Sequence, residues 1–321
     1  MTMNQIDENV YKAAHETAVL HSHTHANMLK IHGETRLDLI HRMSTQDIIG
    51  LKEGQGAATI LTTDIGRIID RLILYTSSDT VYALTGDGNG DTIARYLMRF
   101  VFFNDDFHVQ DISEKTAVFG IYGPQAKAKL MEIGFPDVDL PLHHWQSVKI
   151  NEMYVYLHRV APIGGDGYFV TSREDDREAI WQLLNSTGLT IADESAYDAL
   201  RIESGLPRFG REMTANYIPL ETGLWADVSF NKGCYTGQEI IARMESRGRV
   251  AKQLVQLTAA APIEQGATIR ANGKKAGTIT STAVTPSGTI ALGYVKTAVL
   301  EADKELMVGE TAVRRQPPTI T

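Results

Sequence analysis

The sequence predicts an α+β fold in which a strand–helix unit occurs twice and a small β-barrel closes the chain. The duplication rests on two pairs of similar segments, each offset by about ninety residues: residues 30–34 resemble 120–124, and residues 81–84 resemble 167–170. The barrel rests on short strands punctuated by glycines after residue 249. A chain of 321 residues is long for one hydrophobic core, so several domains are expected.

Hydrophobic periodicity divides each unit into the order β-α-β-β-β-α. In the first unit we predict strands over 26–31, 57–61, 67–75 and 80–85, and helices over 34–43 and 91–100. In the second we predict strands over 116–122, 145–157 and 167–171, and helices over 125–133 and 175–184. This mixed order favours α+β over a doubly wound sheet.

The same pattern predicts the domain boundaries. Residues 1–20 are a polar lead-in, helical or loose, and the two lobes cover about 22–112 and 113–190. A connecting segment, 191–249, completes the first region, 1–249. The predicted barrel covers 250–321, with strands over 253–257, 268–271, 277–283, 289–295 and 312–315.

Composition excludes several classes of protein. Hydrophobic residues make up 43% and charged residues 22%, as in an ordinary globular protein. The net charge of −8 argues against broad binding to nucleic acid or anionic membrane. A single cysteine excludes an internal disulfide and a self-contained cysteine-ligated cluster. The sequence shows neither a signal peptide nor an apolar run of transmembrane length, so a cytoplasmic location is expected.

The single cysteine lies in the stretch Lys232-Gly-Cys-Tyr-Thr-Gly-Gln-Glu239, directly before a predicted helix over 238–247. Thr236 and Glu239 have capping-box spacing, and Gly248 suits a left-handed helix end. In extended backbone, Lys232 and Cys234 would face the same side. A nearby cation and a helix N-terminus both favour the thiolate, so Cys234 is a candidate polarised thiol. The alternative is a small buried cysteine in a turn.

Two carboxylates are the next candidates. Asp70 follows an apolar pair in a predicted strand, where a carboxylate is costly unless it is hydrogen-bonded. It either forms an ion pair on an edge strand or accepts from a ligand nitrogen. Glu203 ends a predicted helix, where its charge opposes the helix dipole. It either pairs with Arg201 or Arg208, or binds N–H groups of a ligand.

Three other patterns are weaker. His21, His23 and His25 would share one face of a strand, but the carboxylate partners of a metal site are missing and the terminus is expected to be exposed. His143 and His144 are interpreted as part of a loop beside a core tryptophan. Residues 86–90 lack the spacing of a phosphate loop and are predicted to form a turn.

The stretch 232–239 resembles the signature of the YgfZ family, folate-binding proteins that support iron–sulfur cluster assembly and repair. That family is related to the glycine-cleavage T-protein, a tetrahydrofolate-dependent aminomethyltransferase. The resemblance extends to residues 45–54, 66–70, 201–207, 219–221 and 277–281. It implies a T-protein-like fold, with two ferredoxin-like lobes and a C-terminal β-barrel around a folate channel. Gln46 departs from the asparagine of many relatives, and Arg71 from the second aspartate of many T-proteins.

The resemblance also implies roles for individual residues. Glu203 would orient the pterin, and Asp70 would face the N5/N10 side of the folate. Cys234, Lys232 and Asp70 are the candidate catalytic residues. Glu203, Asp70, Lys232 and Arg243 are the candidate residues for binding the cofactor, tetrahydrofolate or a one-carbon derivative.

The leading functional hypothesis is a tetrahydrofolate-binding accessory protein, with iron–sulfur assembly or client proteins as partners. A folate-dependent aminomethyl or methyl transferase is the first alternative. A folate-binding module without chemistry, in which Cys234 is inert, is the second.

Overall fold

The computed structural model describes residues 5–136 and 138–316, which form two α+β lobes followed by a closed barrel. The helices are α1 (Glu8–Glu16), α2 (Arg36–Met43), α3 (Gly90–Met98), α4 (Ala126–Glu132), α5 (Arg177–Asn185), α6 (Glu194–Glu203), α7 (Gln238–Ser246) and α8 (Thr297–Glu301). The lobe strands are β1 (Val19–Ser22), β2 (Asn27–His32), β3 (Gly56–Thr62), β4 (Ile68–Thr76), β5 (Thr80–Thr85), β6 (His108–Asp111), β7 (Thr116–Gly123), β8 (Trp145–Ile150), β9 (Met153–Arg159), β10 (Asp166–Arg173) and β11 (Thr190–Ile191).

The first lobe is an antiparallel sheet with the strand order β3-β4-β5-β2-β6. Side chains alternate in β4: Ile68, Asp70 and Leu72 are buried, whereas Arg71 between them is only partly buried. Leu72 belongs to the core that includes Leu39 of α2 and Ile93 of α3. The period of two in this strand and of 3.6 in the helices explains why one face of the sheet is covered by helices.

The second lobe has the strand order β8-β9-β10-β7-β1-β11. Its own strands follow the order of the first lobe, but β1 lies between β7 and β11, antiparallel to β7 and parallel to β11. The predicted lead-in is therefore not loose after α1, because the apolar pair Val19-Leu20 is fully buried within this sheet. The first four residues of that predicted lead-in lie outside the described residues.

The C-terminal strands are β12 (Lys252–Ala259), β13 (Thr268–Ala271), β14 (Lys274–Thr285), β15 (Gly288–Lys296), β16 (Leu306–Val308) and β17 (Thr311–Arg315). They close a barrel in the order β12-β15-β14-β13-β16-β17, which confirms the predicted α+β class with a terminal barrel. Strand β16 was not predicted, because three residues are too short for a periodic signal. Residues 317–321 of the predicted barrel lie outside the described residues.

Helix α6 lies where the three units meet. Asp193 caps its N-terminus by accepting a hydrogen bond from Ala196 N at 2.7 Å. Its apolar residues Ala199 and Ile202 belong to a core cluster shared with Val19 of the second sheet and Leu292 of the barrel. Helix α6 therefore packs between the second sheet and the barrel. None of the helices in residues 5–136 and 138–316 is long and apolar enough to cross a membrane.

Candidate functional site

A cavity of about 820 Å³ lies where the two lobes and the barrel meet. The first sheet contributes Arg71 and Ile73, and the second contributes Phe169 and Tyr122. The end of α6, the segment 222–227 and the barrel strands β12 and β15 complete the wall. Every structural unit of the protein therefore contributes residues to this one cavity.

Aromatic rings form one side of the cavity. Tyr122 stacks on Tyr197 with ring centres 5.8 Å apart, and its edge meets Phe169 at 6.5 Å. All three rings line the cavity. Such a wall suits a flat apolar or heteroaromatic ligand, since aromatic side chains offer large contact areas at fixed angles.

An ion pair between Arg71 and Asp227 supplies charge to the cavity wall. The Arg71 guanidinium donates through Nε to Asp227 Oδ2 at 2.6 Å, and both residues line the cavity. Asp227 ends the short 3₁₀ turn Trp225–Asp227. The backbone carbonyl of Asp227 accepts a hydrogen bond from the Thr45 hydroxyl at 2.6 Å. Sequence reasoning had noted Arg71 only as a departure from T-proteins, and it missed Asp227.

His143 is a second polar residue that the sequence reasoning missed at this wall. Its side chain lines the cavity, and burial, followed by the charge of Arg71, lowers the pKa of its imidazole to about 4. The ring is therefore neutral at physiological pH. Adjacent His144 is not on the cavity wall, so its interpretation as a loop residue beside Trp145 stands.

Asp70 is fully buried on the other face of β4 from Arg71. Its carboxylate accepts from the backbone N–H of Arg71 at 2.7 Å and of Gly86 at 3.0 Å, and from Asn89 Nδ2 at 2.8 Å. Burial raises the pKa of the Asp70 carboxyl to about 6, although these hydrogen bonds oppose the shift. Asp70 thus anchors the turn at 86–90, and the cavity-facing residue of this pair is Arg71. The sequence predicts that Asp70 lies beside a folate. The alternation of β4 instead directs the Asp70 side chain away from the cavity.

Glu203 is engaged by the N-terminal helix. Its carboxylate accepts from the Tyr11 hydroxyl at 2.6 Å and lies 3.0 Å from His15 Nε2. The hydrogen bond to Glu203 raises the pKa of His15. The next residues, Ser204 and Gly205, line the cavity, but the Glu203 side chain is directed toward α1. A ligand role for Glu203 stays a prediction, and it would require competition with Tyr11 and His15.

Lys232 is held by backbone carbonyls. Its ammonium donates to the carbonyl oxygens of His41 at 2.6 Å, Ser44 at 2.8 Å and Gln46 at 2.8 Å. These carbonyls lie at and just beyond the C-terminal end of α2, where helices leave acceptors unpaired. Burial lowers the pKa of Lys232 to about 8. All three ammonium hydrogens have acceptors, so Lys232 fastens the thiol loop, residues 232–237, to the first lobe.

Cys234 is exposed in that loop. Among the hydrogen bonds of residues 5–136 and 138–316, none involves its thiol. The following helix α7 begins after Gly237, whose φ of +83° is left-handed, and no side chain caps it. The predicted capping box of Thr236 and Glu239 is therefore wrong. The Thr236 hydroxyl instead approaches Met43 Sδ at 3.9 Å, because the loop packs against the first lobe. The left-handed end predicted at Gly248 is present, with φ of +60°.

Arg243 lies on an exposed face of α7 and pairs with Glu239 at 2.8 Å. The central cavity is not lined by Arg243, Lys232 or Cys234. The structure thus separates the predicted site residues into three places: Asp70 behind the cavity wall, Glu203 against α1, and the thiol loop with α7. The signal that could have found the cavity residues is the alternation of β4, which assigns Arg71 to the face opposite Asp70.

The histidines near the N-terminus lie against other parts of the chain, as the contacts of His21 and His23 show. His21 is buried in β1, with Nδ1 2.9 Å from the Ala192 carbonyl oxygen, and His23 Nε2 lies 2.8 Å from the Tyr122 hydroxyl. The expectation that this segment is exposed is wrong for His21, because β1 lies inside a sheet. Within residues 5–136 and 138–316, no group of three or more His, Cys, Asp or Glu side chains could hold a metal ion.

The fold and the cavity define a protein of two α+β lobes and a C-terminal barrel, with a ligand-sized cavity where the three units meet. Two family models match the chain: the GCVT N-terminal domain over residues 2–232 and the Glycine cleavage T-protein C-terminal barrel domain over residues 252–319. The chain therefore belongs to the glycine cleavage T-protein-like family.

Individual relatives agree with this assignment. A chloroplastic protein of Arabidopsis thaliana, named as a transferase, is 28% identical over 95% of this chain and 71% of its own length. An aminomethyltransferase of Bacillus licheniformis is 26% identical over 86% of this chain and 78% of its own length. The crystal structure of glycine cleavage system aminomethyltransferase T from Bartonella henselae matches 98% of this chain and 89% of that chain, with a TM-score of 0.85 and 22% identity. The T-protein-like fold expected from the sequence is thereby confirmed.

Proposed function

We propose that this protein binds tetrahydrofolate, or a one-carbon derivative of it, in the central cavity. The observation that carries the proposal is the cavity itself, with its volume of about 820 Å³ and its wall of stacked aromatic rings. A volume of this size lies within the usual range for organic cofactors. The aminomethyltransferases among the relatives support a folate as the ligand class.

The residues present fit such a ligand. A pterin is a flat ring system with hydrogen-bonding edges, and the cavity offers Phe169 and Tyr197 for the faces and the Arg71–Asp227 pair for an edge. Arg315 and Gln316, from the barrel end of the cavity, offer donors for the carboxylates of a glutamate tail. Bound folate would supply a carrier for one-carbon units, while these side chains bind and orient it.

The finer proposal is an accessory role for iron–sulfur proteins, as in the YgfZ family. It is supported by the motif at 232–239 and by the exposed thiol of Cys234 on a loop that Lys232 fastens in place. An exposed thiol is accessible to a partner protein, and one cysteine alone cannot hold a cluster, so a partner must supply further ligands. The cytoplasmic location expected from the sequence stays a prediction.

A one-carbon transferase is the second candidate, supported by the named activity of the relatives. In this chain, however, the cavity-facing residue after Asp70 is an arginine paired with Asp227. That pair leaves no free carboxylate on β4 toward the cavity, which favours ligand binding over T-protein chemistry. A folate-binding module without chemistry is the remaining alternative.

Calorimetric titration of tetrahydrofolate tests the binding proposal. Ala161 lines the cavity, so Ala161→Trp should fill part of it and weaken binding at least tenfold. The matched control is Ala302→Trp, an exposed position just after α8, which should bind like the wild type. An absence of binding by the wild-type protein would remove the proposal.

Cys234→Ala separates the finer alternatives. If the accessory role holds, cells carrying this variant lose support for iron–sulfur enzymes, although protein levels and tetrahydrofolate affinity stay normal. Unchanged iron–sulfur enzyme activity in those cells would count against the role. Enzymatic formation of methylene-tetrahydrofolate from an aminomethyl donor would instead favour the transferase.

A further inference from the structure

Helix α1 is joined to the end of α6 by a group of hydrogen bonds around Glu203. The Tyr11 hydroxyl donates to Glu203 Oε1 at 2.6 Å, and His15 Nε2 lies 3.0 Å from Glu203 Oε2. The Tyr11 hydroxyl also lies 3.3 Å from the hydroxyl of Ser287, in the turn between β14 and β15. One carboxylate therefore connects the N-terminal helix to α6, and Tyr11 extends this contact to the barrel.

The surroundings of the His15 ring require a proton on both of its nitrogens. Nδ1 lies 2.8 Å from the Tyr11 carbonyl oxygen, which can only accept a hydrogen bond. Nε2 faces a carboxylate oxygen of Glu203, which also only accepts when it is ionised. A neutral imidazole has one N–H and would satisfy only one of these acceptors. His15 therefore occupies this position as an imidazolium, and loss of its proton would leave a nitrogen lone pair facing the carboxylate.

Glu203 is the charged side chain that acts on His15. Its hydrogen bond raises the pKa of His15 above the ordinary value of 6.5, although partial burial of the ring opposes the shift. Burial also raises the pKa of Tyr11, so the Tyr11 hydroxyl keeps its proton at physiological pH. Other polar groups on α1 and the β14–β15 turn are the hydroxyls of Thr285 and Ser287 and the exposed pair of Lys12 and Glu16. The charge of His15 thus depends mainly on Glu203.

The rest of the contact between α1 and its neighbours does not titrate near neutral pH. Ala14 is fully buried and belongs to a core cluster with Val19 of β1, Tyr122 of β7 and Ala199 of α6. Burial raises the pKa of Tyr122 well above its ordinary value, so this hydroxyl is neutral. The apolar face of α1 therefore keeps the helix in place while the ring of His15 gains or loses a proton.

We propose that His15 and Glu203 form a pH-sensitive latch that holds α1 against the end of α6. The latch is closed while the ring is charged, and it opens when the ring loses its proton. Because the pKa of His15 is raised in the folded state, its contribution to stability is fully present below the ordinary value of 6.5 and is lost as the pH rises through the raised value. Ser204 and Gly205, directly after Glu203, line the central cavity, so opening of the latch frees part of the cavity wall from α1.

Proton NMR titration of the histidines in the full chain tests the charge of His15. Its signal, assigned by its loss in His15→Gln, should titrate with a midpoint above pH 6.5 in the wild type. Glu203→Gln keeps the size of the side chain but removes its charge, and it should lower this midpoint. Tyr11→Phe leaves the carboxylate in place and should keep the midpoint above 6.5. A wild-type midpoint at or below that value, or an unchanged midpoint in Glu203→Gln, would overturn the inference.

Hydrogen exchange in a peptide covering residues 8–16 tests whether this proton holds the helix. After correction for intrinsic exchange rates, protection in the wild type should fall about two- to fivefold between pH 6 and pH 8, the range expected for loss of a partly exposed ion pair. His15→Gln has no group that titrates here and should be equally protected at both pH values. The matched control is His25→Gln, at an exposed position after β1, which should keep the wild-type fall. Equal protection of the wild type at both pH values, or the full fall in His15→Gln, would exclude the latch.

Discussion

The central cavity and the thiol loop each have a charged group behind them, fully buried in Asp70 and partly buried in Lys232. Asp70 lies behind the cavity wall and accepts hydrogen bonds from two backbone N–H groups and one side-chain amide. Lys232 lies beneath the thiol loop and donates to three backbone carbonyls. In both regions the charged side chain binds backbone groups. A nearby residue is the accessible one: Arg71 lines the cavity, and Cys234 is exposed to solvent.

The two regions differ in how tightly the surrounding chain encloses them. At the cavity, the His143 carbonyl approaches Gly56 so closely that no side chain fits there. In the thiol loop, a Cβ on Gly233 would meet nothing within 4 Å. A rigid wall suits recognition of a small ligand, because little order is lost on binding. An open loop suits contact with a partner protein, because the loop can adapt to the surface of that partner.

Alanine substitution at these two glycines gives the largest expected contrast. Gly56→Ala would press a methyl group against the carbonyl oxygens of His143 and Leu74, which are backbone atoms that cannot rotate away. We expect a loss of at least about 3 kcal/mol in the free energy of unfolding, measured in urea. Gly233→Ala should change it by less than about 0.5 kcal/mol. Equal effects of the two substitutions would show that the cavity wall is no tighter than the loop.

The same contrast explains what the sequence could predict. The duplicated unit and the barrel were accessible because each depends on local periodicity, as in β4 and in α3. The insertion of β1 into the second sheet could not be predicted, because the apolar pair Val19-Leu20 is too short to identify a partner strand. The local sequence marks Asp70, Glu203 and Lys232 as candidate site residues, but it does not reveal their hydrogen-bond partners. Their partners come from β5–α3, from α1 and from the end of α2, and only the tertiary fold brings these together.

Asp70 provides a pH-dependent test of the cavity side. Its folded pKa of about 6 lies above the ordinary value of 3.8, so the folded state retains a proton that the unfolded state has lost between these values. The contribution of Asp70 to stability is therefore present below about pH 4 and is lost as the pH rises through 6. Relative to Asp70→Asn, the wild type should lose about 2 to 3 kcal/mol between pH 4 and pH 7.

Urea unfolding at several pH values measures this difference. Asp91→Asn, at an exposed position in the first turn of α3, is the matched control and should run parallel to the wild type. If the free energies of unfolding of the wild type and Asp70→Asn differ by the same amount across this pH range, Asp70 is ionised throughout. In that case its hydrogen bonds outweigh its burial, and it would resemble Lys232 in holding its charge.

Lys232→Met tests the loop side and should have the smallest of these effects. Methionine keeps most of the apolar stem but removes three hydrogen bonds from the carbonyls of His41, Ser44 and Gln46. We expect a loss of about 2 kcal/mol, because the site is only partly buried and water can reach some of the released carbonyls. Lys275→Met, at an exposed position in β14, should change the free energy of unfolding by less than about 0.5 kcal/mol. If the two variants unfold alike, Lys232 does not fasten the loop, and the exposed position of Cys234 must depend on the packing of Tyr235 instead.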